Sequence, residues 1–495
     1  GHNNRKTKQR ARKTNHEKNK PRKHDDNEHE HEPRAPRKRT KGNLPPMNPL
    51  WETAPPAIRT PFHFDATAAP FQPAAEAPFE YPACPFSDRW SVSSSASNAK
   101  RSSAAEVDAM DMSITSTPKE PGEKTSLKIA TWNVQDMHRL LADGPSKRRS
   151  LVAQELLELN ADVVCLQEGS IDAALMREFC GVDLLGSYVV MERPGTHRCR
   201  TKLAMAELYG YDATESVHFL WFLVKKNLAP VSSLMPLSAW HAVTKGPTWD
   251  VHYWGETDTS VHRHLRHPQV LRVQVNGCEI QFIGCHLKSK HIQCREAPRD
   301  SDGHINPVYL QKALRSRVKL ATEAINVRTY IDAQFDKFHQ ERGGSLNPNS
   351  YEGPVIFVLG DLNDGPGKEL FERDYLFFDL LSNLQGDVFF ARRFLNHALF
   401  NFPEDRRWTT SFVDRVDASR HKQVLLDHIL FTQNVAKKRG GAPVRVDPQS
   451  GRVEHEIHER VNNLRNPTER ATTSDHRPVS IDLHFVPGAV EMGGK

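Results

Sequence analysis

Six short apolar runs, scattered between Leu127 and Pro478, each carry a polar residue at the end of an expected strand. They are Leu127–Asn133 (LKIATWN), Ala161–Glu168 (ADVVCLQE), Ile280–His286 (IQFIGCH), Val355–Asn363 (VIFVLGDLN), Leu425–His428 (LLDH) and Ser474–Pro478 (SDHRP). A brief apolar run between polar segments reads as a strand buried on both faces, and such strands need other layers to cover them. Helical periodicity lies between them. Val152, Leu156 and Leu159 recur at i, i+4 and i+7 with Ser146 as cap, and a second helical stretch runs from about Val308 to Phe338. The alternation is that of an α/β protein, although alternation alone does not choose the architecture.

Charge divides the chain unevenly. Residues 1–42 hold 15 Lys+Arg and 6 Asp+Glu, a balance of +9, whereas the whole chain is +6. The remaining residues therefore sum to −3, and the basicity belongs to the tail rather than to the part expected to fold. A segment so poor in apolar side chains cannot offset its ordering entropy, so 1–42 is expected to be disordered. Its Arg37-Lys38-Arg39 run is either a solvated charge cluster or a nuclear-import or phosphate-binding patch. Residues 43–125, rich in Pro, Ala and Ser, read as a linker, 126–487 as one folded domain and 488–495 as a tail. Extra length at 192–265 and 291–352 reads as insertions at the rim.

The 7 cysteines form no CxxC pair, and Cys165 and Cys285 fall inside apolar strands, where a buried free thiol is ordinary. An odd count favours a reducing compartment, so an intracellular location, cytoplasmic or nuclear, is expected. No apolar run reaches ~18 residues, so no transmembrane helix is expected. The chain opens on Gly1 rather than Met, so either a leading segment has been removed or the sequence is a fragment; Met110 and Met112 could mark an internal start.

The order of the six segments, and the polar residue each delivers, resembles the endonuclease/exonuclease/phosphatase superfamily of DNase-I-like phosphodiesterases, over roughly Ser126 to Phe485. The resemblance implies a four-layer α/β sandwich: two mixed β-sheets packed face to face with helices outside. It also implies a site that hydrolyses phosphate esters with Mg²⁺ or, alternatively, Mn²⁺. Such chemistry needs an activated nucleophile, neutralised charge around phosphorus and a stabilised leaving oxygen, and a hard cation held by carboxylates supplies the second.

Glu168, alone at the end of an apolar strand, is the first expected metal ligand, with a solvated strand end as the bland alternative. Asn133 would hold the ion or its water through the amide oxygen, or would simply form a turn. Gly360-Asp361-Leu362-Asn363 puts Asp361 and Asn363 on one face of an extended segment. Asp361 could orient or deprotonate water, and Asn363 could donate to a phosphoryl oxygen. The turn signal that follows is compatible with both roles. In the family pattern Asp475 belongs to the metal side, His476 faces the scissile phosphate, Asp427 fixes His476, and His286 lies near the phosphate. Histidine carries its proton near neutral pH, as acid–base work requires. Lys288 and Lys290 could contact phosphates or be solvated. The tract 241–268, with His241, Trp249, His252, Tyr253, Trp254, His262, Arg263, His264 and Arg266, could stack on bases or be a packed rim loop.

HLKSK, GDLNDGP and LLDHILF look most like nuclease members, so a nucleic-acid substrate and a monomeric enzyme are expected. A phosphatase or lipid phosphodiesterase on the same site is the alternative within the fold. An inert binding or scaffold protein acting through its basic tail is the alternative of another class; filled catalytic positions argue against it.

Overall fold

The computed structural model describes residues 125–212, 218–253, 257–292, 294–295, 297–343, 351–366, 380–413, 421–436, 442–463 and 472–486. The basic tail 1–42, the linker except residue 125, the tail 488–495 and Trp254 lie outside them.

The chain opens with β1 (Ser126–Asn133), the short helix α1 (Met137–Ala142), α2 (Lys147–Leu159), β2 (Val163–Gly169) and α3 (Ala173–Glu178). It continues through β3 (Tyr188–Val190), α4 (Lys202–Tyr209), β4 (Phe219–Lys225), β5 (Ser232–Leu234) and α5 (Leu237–Thr244). A hairpin of β6 (Thr248–His252) and β7 (Thr259–Arg263) leads to β8 (Gln269–Val275), β9 (Cys278–His286) and the long α6 (Pro307–Glu341). Then come β10 (Val355–Asp361), α7 (Leu380–Gln385), β11 (Leu395–His397) and a second hairpin, β12 (Thr410–Val413) with β13 (His421–Val424). Last are β14 (Asp427–Thr432), β15 (Val444–Val446), β16 (Arg452–Val453), α8 (His455–Asn462) and β17 (Val479–Phe485).

Two mixed sheets result. One has the order β15-β17-β1-β2-β4-β3, with β16 paired to β17; the other runs β11-β14-β10-β9-β8-β5. The pairs β1–β2 and β9–β10 are parallel, and their outer partners β17 and β14 are antiparallel to them. Three apolar layers follow from strand alternation, since successive side chains point to opposite faces. Ile129, Cys165 and Phe222 meet Phe282, Phe357 and Ile429 between the sheets. Trp132, Val164 and Trp221 turn outward onto a layer containing Val152 and Leu156 of α2. Ile283, Ile356 and Val358 turn outward onto Leu320, Val327 and Tyr330 of α6. This is the expected α/β arrangement of mixed sheets flanked by helices. A Cβ at Gly284 would come within 2.9 Å of Cys165 Sγ, so glycine there permits the close approach of the sheets.

The two helices foreseen from periodicity are present as α2, capped by Ser146 accepting from Arg149 N–H, and α6. Two other expectations change. Residues 192–265 are not simply a rim insertion, because they contain β4, an apolar FLWFLV run buried along both faces of the first sheet. Likewise 291–352 contains α6, which covers the outer face of the second sheet. Polar segments on either side hide β4 in the sequence, whereas α6 was foreseen as a helix and only its place over the second sheet was not. Asp427 opens β14 and His476 precedes β17, so neither ends a strand. An antiparallel strand begins where its parallel neighbours finish, so all six polar positions still reach one edge. Among the described residues no helix is long and apolar enough to cross a membrane.

Candidate active site

The edge where β1, β2, β9 and β10 end carries a cleft of about 290 Å³. Strand register brings its groups together. His286, Asp361 and Asp427 lie side by side across β9, β10 and β14, because Asp361 is the ladder partner of both others. The first sheet faces this row with Asn133 and Glu168 at the ends of β1 and β2. Asn133 joins the two: its Nδ2 donates to Asp361 Oδ2 at 2.9 Å and to Glu168 Oε1 at 3.4 Å.

Local backbone devices aim these side chains. The β2–β4 register shifts between Leu166 and Gly169, and Glu168 within this irregularity has φ +63°. Bulges re-aim side chains, and a left-handed non-glycine residue costs on the order of 1 kcal/mol or more, which the surrounding structure must hold. Asn363 is similar, with φ +54°. Gly360 has φ +144°, and a Cβ there would lie 1.8 Å from the Cys285 carbonyl oxygen. Only glycine lets β10 carry Asp361 this close to β9.

The 474–476 turn is pinned to β1. Ser474 Oγ donates to Asn133 O at 2.6 Å and accepts from the His476 N–H, while Trp132 Nε1 donates to His476 O at 2.9 Å. His476 Nδ1 then sits 2.6 Å from Asp427 Oδ2, both buried. Burial works against the imidazolium, but the Asp427 charge and hydrogen bond, with Asp361 and Asp475 nearby, raise His476 to about 10. Burial and the Asp427 charge push the Asp361 carboxyl up to about 7, against the lowering effects of His476, the Asn133 amide and the Asn363 N–H. For Glu168, burial acts upward. A hydrogen bond from His218, the charges of His286 and His218 and the Asp136 N–H more than offset it, and hold the carboxyl below its ordinary range. Burial, then the Arg266 charge, depresses His286 well below its usual value; its Nε2 lies 3.6 Å from Asp361 Oδ2.

Asp361, Asp427 and His476 offer donor atoms within 4.8 Å of one another. His476 Nδ1 is already spent on Asp427, so this group reads better as a hydrogen-bonded dyad beside a second carboxylate than as an ion cage. The donor set of Asn133 and Glu168 fits a hard cation better: Asn133 Oδ1 is buried without a hydrogen-bond partner, next to an ionised carboxylate.

The structure brings most expected residues to the cleft. Asn133, Glu168, His286, Asp361, Asn363, Asp475 and His476 line it, and Asp427 is buried behind His476. Asp475 is exposed and accepts from Gln135 Nε2. The Asn363 amide donates to Leu287 O rather than outward, and Asn363 N–H to Asp361 Oδ1. Lys288 and Lys290 do not line the cleft: Lys288 Nζ donates to Ser289 O, and Lys290 pairs with buried Asp364. The 241–268 tract largely packs on α6. His262 bonds Thr322 and His264 bonds Asn326, and just before the tract Trp240 stacks on Tyr330 at 4.2 Å. His264 and His267 are buried. Among the described residues of that tract Arg266 alone reaches the cleft, donating to the His286 and Leu287 carbonyls.

His218 and Phe412 are cleft residues the sequence reading missed. His218 directly precedes the FLWFLV run, so recognising β4 would have found it. Phe412, in a polar hairpin and 42% exposed, gave no periodic signal.

The sequence from 130 to 476 matches the model of the endonuclease/exonuclease/phosphatase family. No curated protein matches it. Among solved structures, TDP2 from C. elegans is similar at 15% identity over 74% of this chain and 77% of that one, with a TM-score of 0.37. D. rerio TDP2, complexed with a single-strand DNA product, is similar at 15% identity over 73% and 100%, TM-score 0.35. A mannosyl-6-phosphatase of Bacteroides thetaiotaomicron is similar at 14% identity over 72% and 100%, TM-score 0.35. The family model spans well over half of the chain and encloses every residue of the cleft, and the chain belongs to the endonuclease/exonuclease/phosphatase family.

Proposed function

We propose that this chain is a divalent-metal-dependent phosphodiester hydrolase acting on nucleic acid, with its active domain within 126–487. The observation that carries this reading is the buried His476–Asp427 pair, 2.6 Å apart and facing the Asn133–Glu168 donor set across one cleft.

Asn133 and Glu168, with Asp475 at the mouth, would hold Mg²⁺ or Mn²⁺. When bound, the ion neutralises charge on the phosphate and the leaving oxygen. Asp361 has a carboxyl raised to about 7. It is suited to take a proton from attacking water, because a base works best with a pKa near the operating pH. Asp427 fixes the tautomer of His476 and keeps it protonated, leaving Nε2 to donate to a phosphoryl oxygen as negative charge grows there. His286, held neutral, can supply a further hydrogen bond without bringing a second positive charge. Asn363 positions Asp361 through its N–H and secures the β9 end through its amide. Lys288 and Lys290 would reach phosphate only after leaving their present partners.

Phe412 presents a half-open aromatic face to the cleft and can stack on a base, a contact worth about 1–3 kcal/mol. This, with the HLKSK and GDLNDGP patterns, favours nucleic acid over a phosphoinositide or sphingomyelin headgroup. The test is hydrolysis of DNA, RNA, a phosphoinositide and sphingomyelin, each with Mg²⁺ and with EDTA. Cleavage of DNA or RNA that stops in EDTA is expected. Turnover confined to the lipids would overturn the substrate class, and turnover surviving EDTA would overturn the metal.

A further inference from the structure

Glu168 has a second side. Its Oε1 faces Asn133, whereas Oε2 accepts from the Asp136 N–H at 2.8 Å and lies 2.9 Å from His218 Nδ1. Around Oε2 stand three potential ligands, Asp136, His138 and His218, whose donor atoms all lie within 4.8 Å of one another. Asp136 has φ +54°, which turns the chain into α1 and sets its carboxylate near His138. The His138 and His218 rings meet edge to face at 4.6 Å.

The spacings suit shared ligation better than hydrogen bonding. His138 Nδ1 is 3.9 Å from Asp136 Oδ1, beyond hydrogen-bond reach. Two donors each about 2.0–2.2 Å from one ion lie roughly 3–4 Å apart. His138 Nδ1 is also buried with no hydrogen-bond partner, an unfavourable state for a ring nitrogen that nothing occupies. The 2.9 Å between His218 Nδ1 and Glu168 Oε2 is the exception, a hydrogen bond of the kind that orients a ligating imidazole.

We propose that Asp136, His138 and His218 form a second divalent-metal site, selective for a nitrogen-accepting ion of the Zn²⁺, Co²⁺ or Mn²⁺ type over Mg²⁺. Two imidazoles and a carboxylate are the ligands such ions take, while Mg²⁺ keeps to oxygen and water. Glu168 stands outside the three, and its Oε2 would hold His218 in place from behind, so one carboxylate would link this site to the cleft. That link rests on the proposed role of Glu168; the three-residue site does not.

The test uses the full chain, stripped with chelator and equilibrated with Zn²⁺ or Co²⁺ in excess Mg²⁺. The wild type is expected to retain one Zn²⁺ per chain, and its Co²⁺ form to show the strong visible bands of a four- or five-coordinate site. His138→Ala and His218→Ala should each weaken Zn²⁺ retention at least roughly 100-fold, the upper end of what losing even an outer-shell partner costs. A wild type that binds Zn²⁺ no better than His138→Ala, or whose Co²⁺ spectrum is that of the hydrated ion, overturns the site. The wild-type spectrum needs no variant, so a misfolded His218→Ala would leave the test intact. Hydrolysis with Mg²⁺ is followed in the same samples. Zn²⁺ retained without hydrolysis keeps this site and counts against the proposed activity; hydrolysis without Zn²⁺ retention does the reverse.

Discussion

Two groups of buried histidines sit in this molecule under nearly the same burial, and they behave oppositely. His476 stands against Asp427 and is raised to about 10. His264 and His267, in the packed tract over α6, are depressed, His267 well below its ordinary value. Burial pushes both groups toward neutrality. The difference is a hydrogen-bonded carboxylate at 2.6 Å in one place, against neutral hydrogen-bond partners in the other: His264 meets Asn326 Oδ1, with Glu323 acting only as a nearby charge, and His267 meets the Pro268 carbonyl. A buried histidine becomes a charged participant only when its partner is charged, since desolvation by itself favours the neutral ring.

This contrast should break most visibly in turnover. His476→Ala is expected to lower kcat about 10²–10⁴-fold, the usual worth of a positioned acid or base, whereas His264→Ala should leave kcat unchanged in the folded fraction. Steady-state kinetics on the two proteins checks this; equal losses would erase the distinction. Glu168→Ala should match or exceed the His476 loss while far-UV circular dichroism stays native.

The double variant sharpens the comparison. If Asp427 acts only through His476, Asp427→Asn combined with His476→Ala should be hardly worse than His476→Ala alone. Multiplying losses would give Asp427 a separate role.

The pH dependence of stability should assign one limb to each region. His476 has its folded pKa above the unfolded value near 6.5, so its contribution is full below about 6.5 and is lost as pH rises through about 10. His264 and His267 are depressed, so their contribution is present above about 6.5 and is lost as pH falls. Thermal melting of His476→Gln should lack the alkaline decline, and His267→Phe should soften the acid one. Unaltered limbs would show that other groups set them. At neutral pH His264→Ala should cost about 1–3 kcal/mol, the range for breaking a buried hydrogen-bonded contact.

The smallest effect concerns the basic tail. Deleting 1–42 should weaken nucleic-acid binding and flatten its salt dependence without changing turnover at saturation. An unchanged salt slope would remove the tail from substrate capture.

The sequence showed the cleft more clearly than the frame around it. Each catalytic candidate sits at the edge of a short apolar run, a local signal that survives any choice of topology. The β4 strand was misjudged because its partner β2 lies far away, and the 241–268 tract stayed open between stacking and packing for the same reason, since His262 bonds distant Thr322. Aromatics interleaved with cations have the same composition in a core as on a binding face, and only the distant contact decides. Phe412 and His218 were missed for a related reason, since a short hairpin strand and the residue just before a strand carry no periodic signal of their own.

Gly360 bears on how this protein can change over time. No side chain fits beside the Cys285 carbonyl oxygen, yet the residue performs no chemistry. In a saturating mutational library it should be as intolerant as Asp361, but its variants should fail by disappearing from the soluble fraction, not by accumulating as inactive protein. If Phe412 contacts substrate as proposed, drift in substrate preference should be barred from the β10 edge and run through the exposed Phe412 instead.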